Sequence, residues 1–152
     1  MANFGPYHLT QTDVAVASDR SFIDQQIKAW NNRVSPHHLH VRSHPPRPLD
    51  LFLRDETQAI VGGLVASTFW SWLDIDDLWL REDLRHRGFG SQLLLLAEQE
   101  ALARECRRAR VTTFSFQARG FYERFGYRVV GRLDDFPPGS AFFWLRKDFS
   151  LS

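Results

Sequence analysis

The residues best suited to chemistry form one short basic segment, residues 85–94, which reads RHRGFGSQLL. Glycine lets a backbone come close to a ligand. Amide N–H groups at the start of a helix have no partner inside the helix, and the helix dipole adds positive potential there. Arginine side chains add forked donors that match phosphate oxygens. The segment follows the strand-like residues 78–80 and leads into a leucine-rich run, so it predicts a site for a phosphorylated cofactor or substrate.

A sheet covered by helices is expected to position this segment. Helical spacing of apolar residues predicts helices over 19–33, 88–107 and 118–125. Strands are predicted over residues 6–14, 49–53, 59–66, 73–80, 111–116, 127–131 and 141–145. The histidine- and proline-rich segment 35–48 predicts a loop with room for a short helical turn. The order of these elements favours one mixed sheet in one domain over residues 1–152.

The long central helix is expected to bury one face and to expose the other. Its buried stripe is predicted to contain Leu93, Leu94, Leu96, Ala97 and Ala101, whereas Glu98, Gln99 and Glu100 are expected to face water. In the strand over 59–66, the pair Gly62-Gly63 predicts a bulge or a close backbone approach. The helix over 118–125 is expected to stop at Gly126, and Tyr127 is expected in the core.

Length and composition limit the classes of protein to which the chain can belong. The chain has 152 residues, a net charge of +1 and one cysteine, Cys106. These values favour a globular domain without a disulfide framework, and the near-neutral charge does not indicate a nucleic-acid partner. The sequence shows no apolar run long enough to span a membrane and no signal-peptide core, so a cytoplasmic protein is expected. Thirteen Phe and five Trp predict an aromatic core, with an apolar homodimer face or an acceptor pocket as alternatives.

Two segments together resemble the GNAT N-acetyltransferase superfamily. Residues 78–90, LWLREDLRHRGFG, resemble its acyl-CoA-binding signature, Arg/Gln-x-x-Gly-x-Gly/Ala after a strand, which Arg85, Gly88 and Gly90 meet. Residues 118–127, ARGFYERFGY, look like its later element: Ala, then Phe-Tyr, then Gly and an aromatic residue. Either motif alone would be a weak or moderate indication, but both occur in the family's order and spacing.

This resemblance, which covers roughly residues 49–149, implies the fold and the cosubstrate. The fold would be α/β (α+β), with a GNAT-like mixed, mostly antiparallel central sheet splayed at the middle strands and flanked by helices. Acetyl-CoA would place its diphosphate on the basic loop and its pantetheine arm in the gap, like an added strand. The residues assigned to the cosubstrate on this basis are Leu78, Leu80, Arg85, His86, Arg87, Gly88, Phe89, Gly90, Ser91 and Ser115. At Ser115 many relatives carry Asn.

Acetyl transfer to an amine requires a proton donor for the departing thiolate and a group that receives the ammonium. Tyr122 matches the tyrosine that the family uses as general acid. Asp74, Asp76 and Asp77 lie where a base or a water-relaying carboxylate would be, and their clustering would raise their pKa values. Strand alternation predicts that Asp74 and Asp76 share one face and that Asp77 points the other way. Asp76 and Asp74 are therefore the candidate bases, and they could equally attract a cationic acceptor.

The leading hypothesis is an acetyl-CoA-dependent N-acetyltransferase that acts on a small cationic primary amine by direct attack. A non-catalytic acyl-CoA-binding sensor is the first alternative. A nucleic-acid-binding module that uses the basic residues Arg104, Arg107, Arg108 and Arg110 is the second. No metal is expected, because the run of His37, His38, His40 and His44 fits no standard zinc spacing.

Overall fold

The computed structural model describes residues 4–150. The chain falls into two compact units, residues 1–43 and 44–152. The expectation of one domain over 1–152 stays a prediction. The first unit contains helices α1 (Ala17–Val34) and α2 (Pro36–Ser43), which contact each other. The second contains β1 (Arg47–Arg54), β2 (Ile60–Phe69), β3 (Trp72–Leu80), α3 (Phe89–Ala103), β4 (Arg108–Phe114), α4 (Arg119–Arg124), β5 (Arg128–Asp134) and β6 (Ala141–Asp148), with a 3-10 turn at Glu82–Leu84.

The second unit is built on one six-stranded sheet in the order β1-β2-β3-β4-β6-β5. Every neighbouring pair is antiparallel except β3 and β4, which are parallel. That parallel pairing covers only Trp72 to Ile75 on β3 and Arg108 to Val111 on β4. Beyond these residues the two strands part, so the sheet is splayed at its middle, which confirms the predicted fold class.

Helix α3 covers one face of this sheet. Leu93, Leu94, Ala97 and Ala101 are buried in a core shared with side chains from five of the six strands. The predicted stripe is correct except at Leu96, which is about half exposed. The predicted close backbone approach is at Gly63, where a Cβ would lie 2.6 Å from the carbonyl oxygen of Leu51 on β1.

A buried polar network joins α3 to the last two strands. Glu98, predicted to face water, is 6% exposed. Its carboxylate accepts a hydrogen bond from the Tyr127 hydroxyl at 2.9 Å and an ion pair from Lys147 Nζ at 2.7 Å. The prediction for Glu98 is wrong because helical spacing shows which face is apolar and cannot show that a charge on that face has partners. Burial of Tyr127 was predicted and is confirmed.

Three other sequence predictions require correction. No strand forms over 6–14 in the described part of the chain, where the residues are turns and coil. The segment 35–48 contains the eight-residue helix α2, because Pro36 stands at the first helical position, where its missing N–H costs nothing. Helix α3 ends at Ala103, not near residue 107. There Glu105 takes a left-handed conformation (φ 63°), and the Cys106 N–H donates to the Ala101 carbonyl, as in a Schellman motif.

Candidate active site

The parting of β3 and β4 opens a cleft of about 850 Å³. One wall is the free edge of β3 from Asp76 to Leu80, and the other is the end of β4 with the start of α4. The basic loop and the first residues of α3 close one end. The gap between these strands was predicted only from the resemblance to the family. In the structure it arises because the pairing of β3 with β4 ends at Ile75 and Val111.

The loop before α3 presents a row of backbone donors to this cleft. Gly88 caps the helix in a left-handed conformation (φ 84°), which glycine adopts without strain. The first hydrogen bond of the helix runs from the Gln92 N–H to the Gly88 carbonyl at 3.1 Å. For residues 86–91 no backbone partner of the N–H groups is found within the described chain. Such a run of free N–H groups at a helix start suits anionic oxygens.

The side chains of the loop divide into two groups. Arg85, His86, Gly88, Gly90 and Ser91 line the cleft. The predicted cofactor contacts Arg87 and Phe89 do not line it; the Arg87 guanidinium lies 5.4 Å from the ring centroid of Phe89.

The free edge of β3 carries the other predicted cofactor contacts. Leu78 and Leu80 line the cleft and also pack against the core. The carbonyl of Leu80 accepts a hydrogen bond from Nε of Arg85 at 3.1 Å. This carbonyl is therefore already engaged, and Arg85 fixes the loop to the end of the strand.

Ser115, a predicted cosubstrate contact, makes structural hydrogen bonds with Ala141. Its hydroxyl accepts from the Ala141 N–H at 3.0 Å, and its own N–H donates to the Ala141 carbonyl at 2.8 Å. Ser115 is absent from the residues that line the cleft, whereas Gln117, two residues later, is among them. The Gln117 side chain accepts from the Phe114 N–H at 2.9 Å.

Sequence reasoning missed three further kinds of cleft residue. Arg124, at the end of α4, lines the cleft, and so do Thr113 and the aromatic residues Phe114, Phe116 and Phe142. Phe114 contacts both of the other rings, at centroid distances of 5.1 Å. No local motif marks these residues; only the strand pairing brings Phe142 beside Phe114.

Tyr122 projects from α4 into the core and borders the cleft. It is 5% exposed, packs edge-to-face on Phe121 and Tyr127, and its hydroxyl has no hydrogen-bond partner in the described chain. Among the described residues every fully buried side-chain nitrogen or oxygen has a partner. The Tyr122 hydroxyl is therefore not sealed off, and the residue borders the cleft. Burial, together with the negative charge of Asp77, raises the pKa of Tyr122 to about 12.

The three aspartates of β3 lie at a bulge. Ile75 pairs with Ala66 and Asp77 with Val65, so Asp76 is an extra residue without a partner on β2. Because of this extra residue Asp77 falls on the same face as Asp74, and the prediction that it points the other way is wrong. All three carboxylates lie on the face opposite the buried Leu73 and Ile75.

The environments of these carboxylates differ. Asp74 accepts two hydrogen bonds from Arg110, at 2.8 and 2.6 Å. Asp76 has no hydrogen bond or ion pair in the described chain. Partial burial, and then the charges of Asp74 and Asp77, raise the pKa of Asp76, and Arg110 acts in the opposite direction. Asp77 likewise has no hydrogen bond or ion pair in the described chain, so Asp76 and Asp77, unlike Asp74, are both available to a cationic group.

A second cavity of about 630 Å³ lies beside the cleft. The two cavities share three lining residues, Asp76, Val111 and Thr112. Asp76 therefore stands at the point where the two cavities meet. Residues 4–150 contain no cluster of three or more His, Cys, Asp or Glu side chains arranged to hold a metal ion.

Comparison of the sequence with known proteins identifies the family. The model of the acetyltransferase (GNAT) family matches residues 16–127. A blasticidin-S acetyltransferase of Streptomyces morookaense is 37% identical over 132 residues, which are 81% of this chain and 96% of that protein. An acetyltransferase of Agrobacterium fabrum is 35% identical over 103 residues, 68% of this chain and 75% of that protein.

Solved structures show the same fold. A Bacillus cereus acetyltransferase matches with a TM-score of 0.78 and 29% identity, over 92% of this chain and 98% of that one. A Bacillus anthracis acetyltransferase in complex with acetyl coenzyme A matches with a TM-score of 0.60 and 20% identity, over 69% of this chain and 64% of that one. The chain belongs to the GNAT acetyltransferase family, whose members use acetyl-CoA, and it is an acetyl-transferring enzyme. No helix of residues 4–150 has the length and apolar character needed to cross a membrane.

Proposed function

We propose that this enzyme transfers the acetyl group of acetyl-CoA to the primary amine of a small cationic molecule by direct attack. One observation carries the proposal: Asp76 without an ion-pair partner and the open hydroxyl of Tyr122 border the same cleft. A base and an acid at one cleft are what aminolysis of a thioester requires.

The cleft residues suit coenzyme A in three respects. The free N–H groups of residues 86–91 and the side chain of Arg85 offer donors to a diphosphate. The unpaired edge of β3 offers main-chain groups to an amide-bearing arm. The cleft volume of about 850 Å³ falls within the range of cofactor sites.

The reacting amine must first lose a proton. Asp76 would receive the ammonium through an ion pair and would accept its proton directly or through water. Because partial burial and the neighbouring carboxylates raise its pKa, Asp76 is a stronger base than an ordinary aspartate. The N–H region of Leu78 would polarise the thioester carbonyl as the tetrahedral oxyanion forms.

The thiolate then leaves and takes a proton, while the nitrogen of the new amide releases its remaining extra proton to water, from which the proton donor is recharged. Tyr122 would supply the proton of the thiolate from its hydroxyl. A pKa of about 12 keeps that hydroxyl protonated at every physiological pH, so the proton is always available to the thiolate. No covalent enzyme intermediate is needed, because the amine attacks the acetyl carbonyl itself.

A small-molecule acceptor is supported by the named activity of one relative and by the size of the second cavity. The Streptomyces morookaense relative carries the name blasticidin-S acetyltransferase. The second cavity, at about 630 Å³, has the volume of a site for a drug-sized molecule.

A pair of matched variants tests the cosubstrate site. Gly88→Glu places bulk and negative charge among the free N–H groups, and acetyl-CoA binding measured by calorimetry should be abolished. Gly139→Glu is the control, because Gly139 also has a positive φ and open space around it but lines neither cavity. Equal affinity of the two variants for acetyl-CoA would defeat the assignment.

Turnover is tested separately by measuring thiol release from acetyl-CoA over a panel of primary amines. Acetylation of at least one small cationic amine is expected. Tight acetyl-CoA binding without turnover on any amine would overturn the proposed amine acceptor.

A further inference from the structure

The second cavity has features that the acetyl-transfer chemistry does not use. It lies on the sheet face opposite α3, where the side chains alternate with those of the core. Trp72 and Trp144 provide its aromatic surface, and Val130 and Gly131 contribute from β5. These residues stand beside the thioester cleft without lining it.

Most charges of this cavity are neutralised within the protein. Asp74 is held by Arg110 through two hydrogen bonds. Arg146 donates to Asp148 at 2.7 Å, and its guanidinium lies 5.1 Å from the ring centroid of Trp72. Among the described lining residues only the carboxylate of Asp76 carries a charge without such a partner. A linear molecule with several cationic groups would therefore find one anionic partner here and not several.

Trp144 lines the cavity with 40% of its surface exposed, although Phe142 packs against it edge-to-face at a centroid distance of 4.8 Å. It stands opposite Gly131 in the β5–β6 pairing. A Cβ on Gly131 would lie 3.0 Å from Cε3 of Trp144 and 3.6 Å from Cδ2. A side chain at this position would crowd the indole ring, so glycine leaves the ring its present place in the cavity wall.

The strand pairing also sets the spacing between the ring and the free carboxylate. Trp144 pairs with Thr112 on β4, and Asp76 follows the last β3 residue that pairs with β4. Two strand spacings, about 10 Å, separate the axes of β3 and β6 where the strands are paired, and the parting of β3 and β4 after Ile75 lengthens the distance from Trp144 to Asp76. A flat ring on Trp144 would be joined to an amine at Asp76 by a chain of several atoms.

We propose that Trp144 and Gly131 form a stacking site for a planar ring, and that the acceptor is a small molecule carrying such a ring and one primary amine. This inference rests on the proposed function, because it assigns the acceptor of that same reaction. Stacking on the indole orients the ring, and the ion pair with Asp76 brings the amine to the thioester.

The test compares two primary amines on the wild-type enzyme and on variants. The probes are 3-phenylpropylamine, which has a planar ring, and n-propylamine, which has the same chain without the ring. Wild-type kcat/KM should be higher for the ring-bearing amine. Trp144→Leu should lower kcat/KM for 3-phenylpropylamine by roughly 2- to 12-fold, the range of a lost aromatic contact, and should leave n-propylamine nearly unchanged.

Further variants separate this effect from a general disturbance. Trp144→Phe, which keeps an aromatic ring, should retain part of the selectivity that Trp144→Leu loses. Gly131→Ala should reduce the selectivity by crowding the indole ring. Trp70→Leu is the control, because Trp70 is also exposed but lines neither cavity. Unchanged acetyl-CoA affinity and melting temperature show that each variant is folded.

The outcomes distinguish the two proposals. An equal loss for both amines in Trp144→Leu, or a wild-type enzyme that prefers n-propylamine, overturns the stacking site and leaves the acetyltransferase proposal intact. A wild-type enzyme that acetylates no amine overturns both.

Discussion

Two tyrosines five residues apart have nearly the same burial and opposite chemical situations. Tyr122 is 5% exposed and Tyr127 3% exposed, and their rings contact each other at a centroid distance of 5.6 Å. The Tyr127 hydroxyl donates to Glu98, whose charge is balanced by Lys147. The Tyr122 hydroxyl has no protein partner in the described chain and borders the cleft.

This difference separates a hydroxyl that is bound within the protein from one that has no protein partner in the described chain. Burial raises the pKa of both phenols, and for Tyr127 the charge of Glu98 and the hydrogen bond to it raise the pKa further. The Tyr127 hydroxyl donates its proton to a permanent hydrogen bond, whereas the hydroxyl proton of Tyr122 is available to a ligand. Burial alone would assign both residues to the core, so only their hydrogen bonds distinguish the two tyrosines.

The largest effect is expected from Tyr122→Phe. Loss of the proposed general acid should lower kcat by about 10²- to 10⁴-fold. Acetyl-CoA affinity and melting temperature should change little, because the ring is retained and no protein hydrogen bond is lost. Steady-state kinetics and calorimetry on the same preparation check this. A kcat within a factor of two of wild type would remove Tyr122 from the acid role.

The next largest effect is expected from Lys147→Met, in the Tyr127 network. The carboxylate of Glu98 would stay buried without its cation, which should destabilise the protein by about 3 kcal/mol. The figure lies at the lower end of the range for buried pairs, because the Lys147 side chain is 21% exposed. Urea unfolding measures the cost, and kcat of the folded fraction should be retained. A stability equal to that of wild type would show that the pair contributes nothing.

Tyr127→Phe is the matched control for Tyr122→Phe. It removes a hydrogen bond to a charged acceptor and should cost about 1.5–2 kcal/mol of unfolding free energy. The kcat should remain close to wild type. A loss of kcat comparable to that of Tyr122→Phe would contradict the division of roles between the two tyrosines.

The smallest effect concerns pH. A general acid must be protonated to act, and an ordinary tyrosine would begin to lose activity near its pKa of about 10. Because the pKa of Tyr122 is raised to about 12, its ionisation should not lower kcat between pH 8.5 and about 10.5. An alkaline decline centred near pH 10 in wild type, and absent from Tyr122→Phe, would contradict the raised pKa.

The sequence predicted the elements with strong local signals and missed those that depend on partners. The loop at Gly88 and the two motifs led to the correct family and fold class. The end of α3 was missed, because a left-handed Glu105 takes the place where a glycine would have marked the stop. Burial of Glu98 was missed, because its partners Tyr127 and Lys147 come from distant positions in the chain.

The candidate site was predictable in its loop and less so in its side chains. The residue types at Arg85, Gly88 and Tyr122 carried enough information to place them at one cleft. The sequence could not show that Arg124 lines the cleft and that Ser115 does not, because this depends on how distant parts of the chain pack together. Roles in catalysis stay predictions for all of these residues.

The extra residue at Asp76 divides β3 into two halves with opposite phase. Before it the odd-numbered residues Leu73 and Ile75 face the core, and after it the even-numbered Leu78 and Leu80 do. Without Asp76, the residues Ile75, Asp77 and Leu78 would alternate regularly, and Leu78 would stay on the core face. A deletion of this one residue would therefore remove the bulge without turning the second half of the strand over, whereas the bulge as it stands is what brings a third carboxylate onto the open face of the sheet.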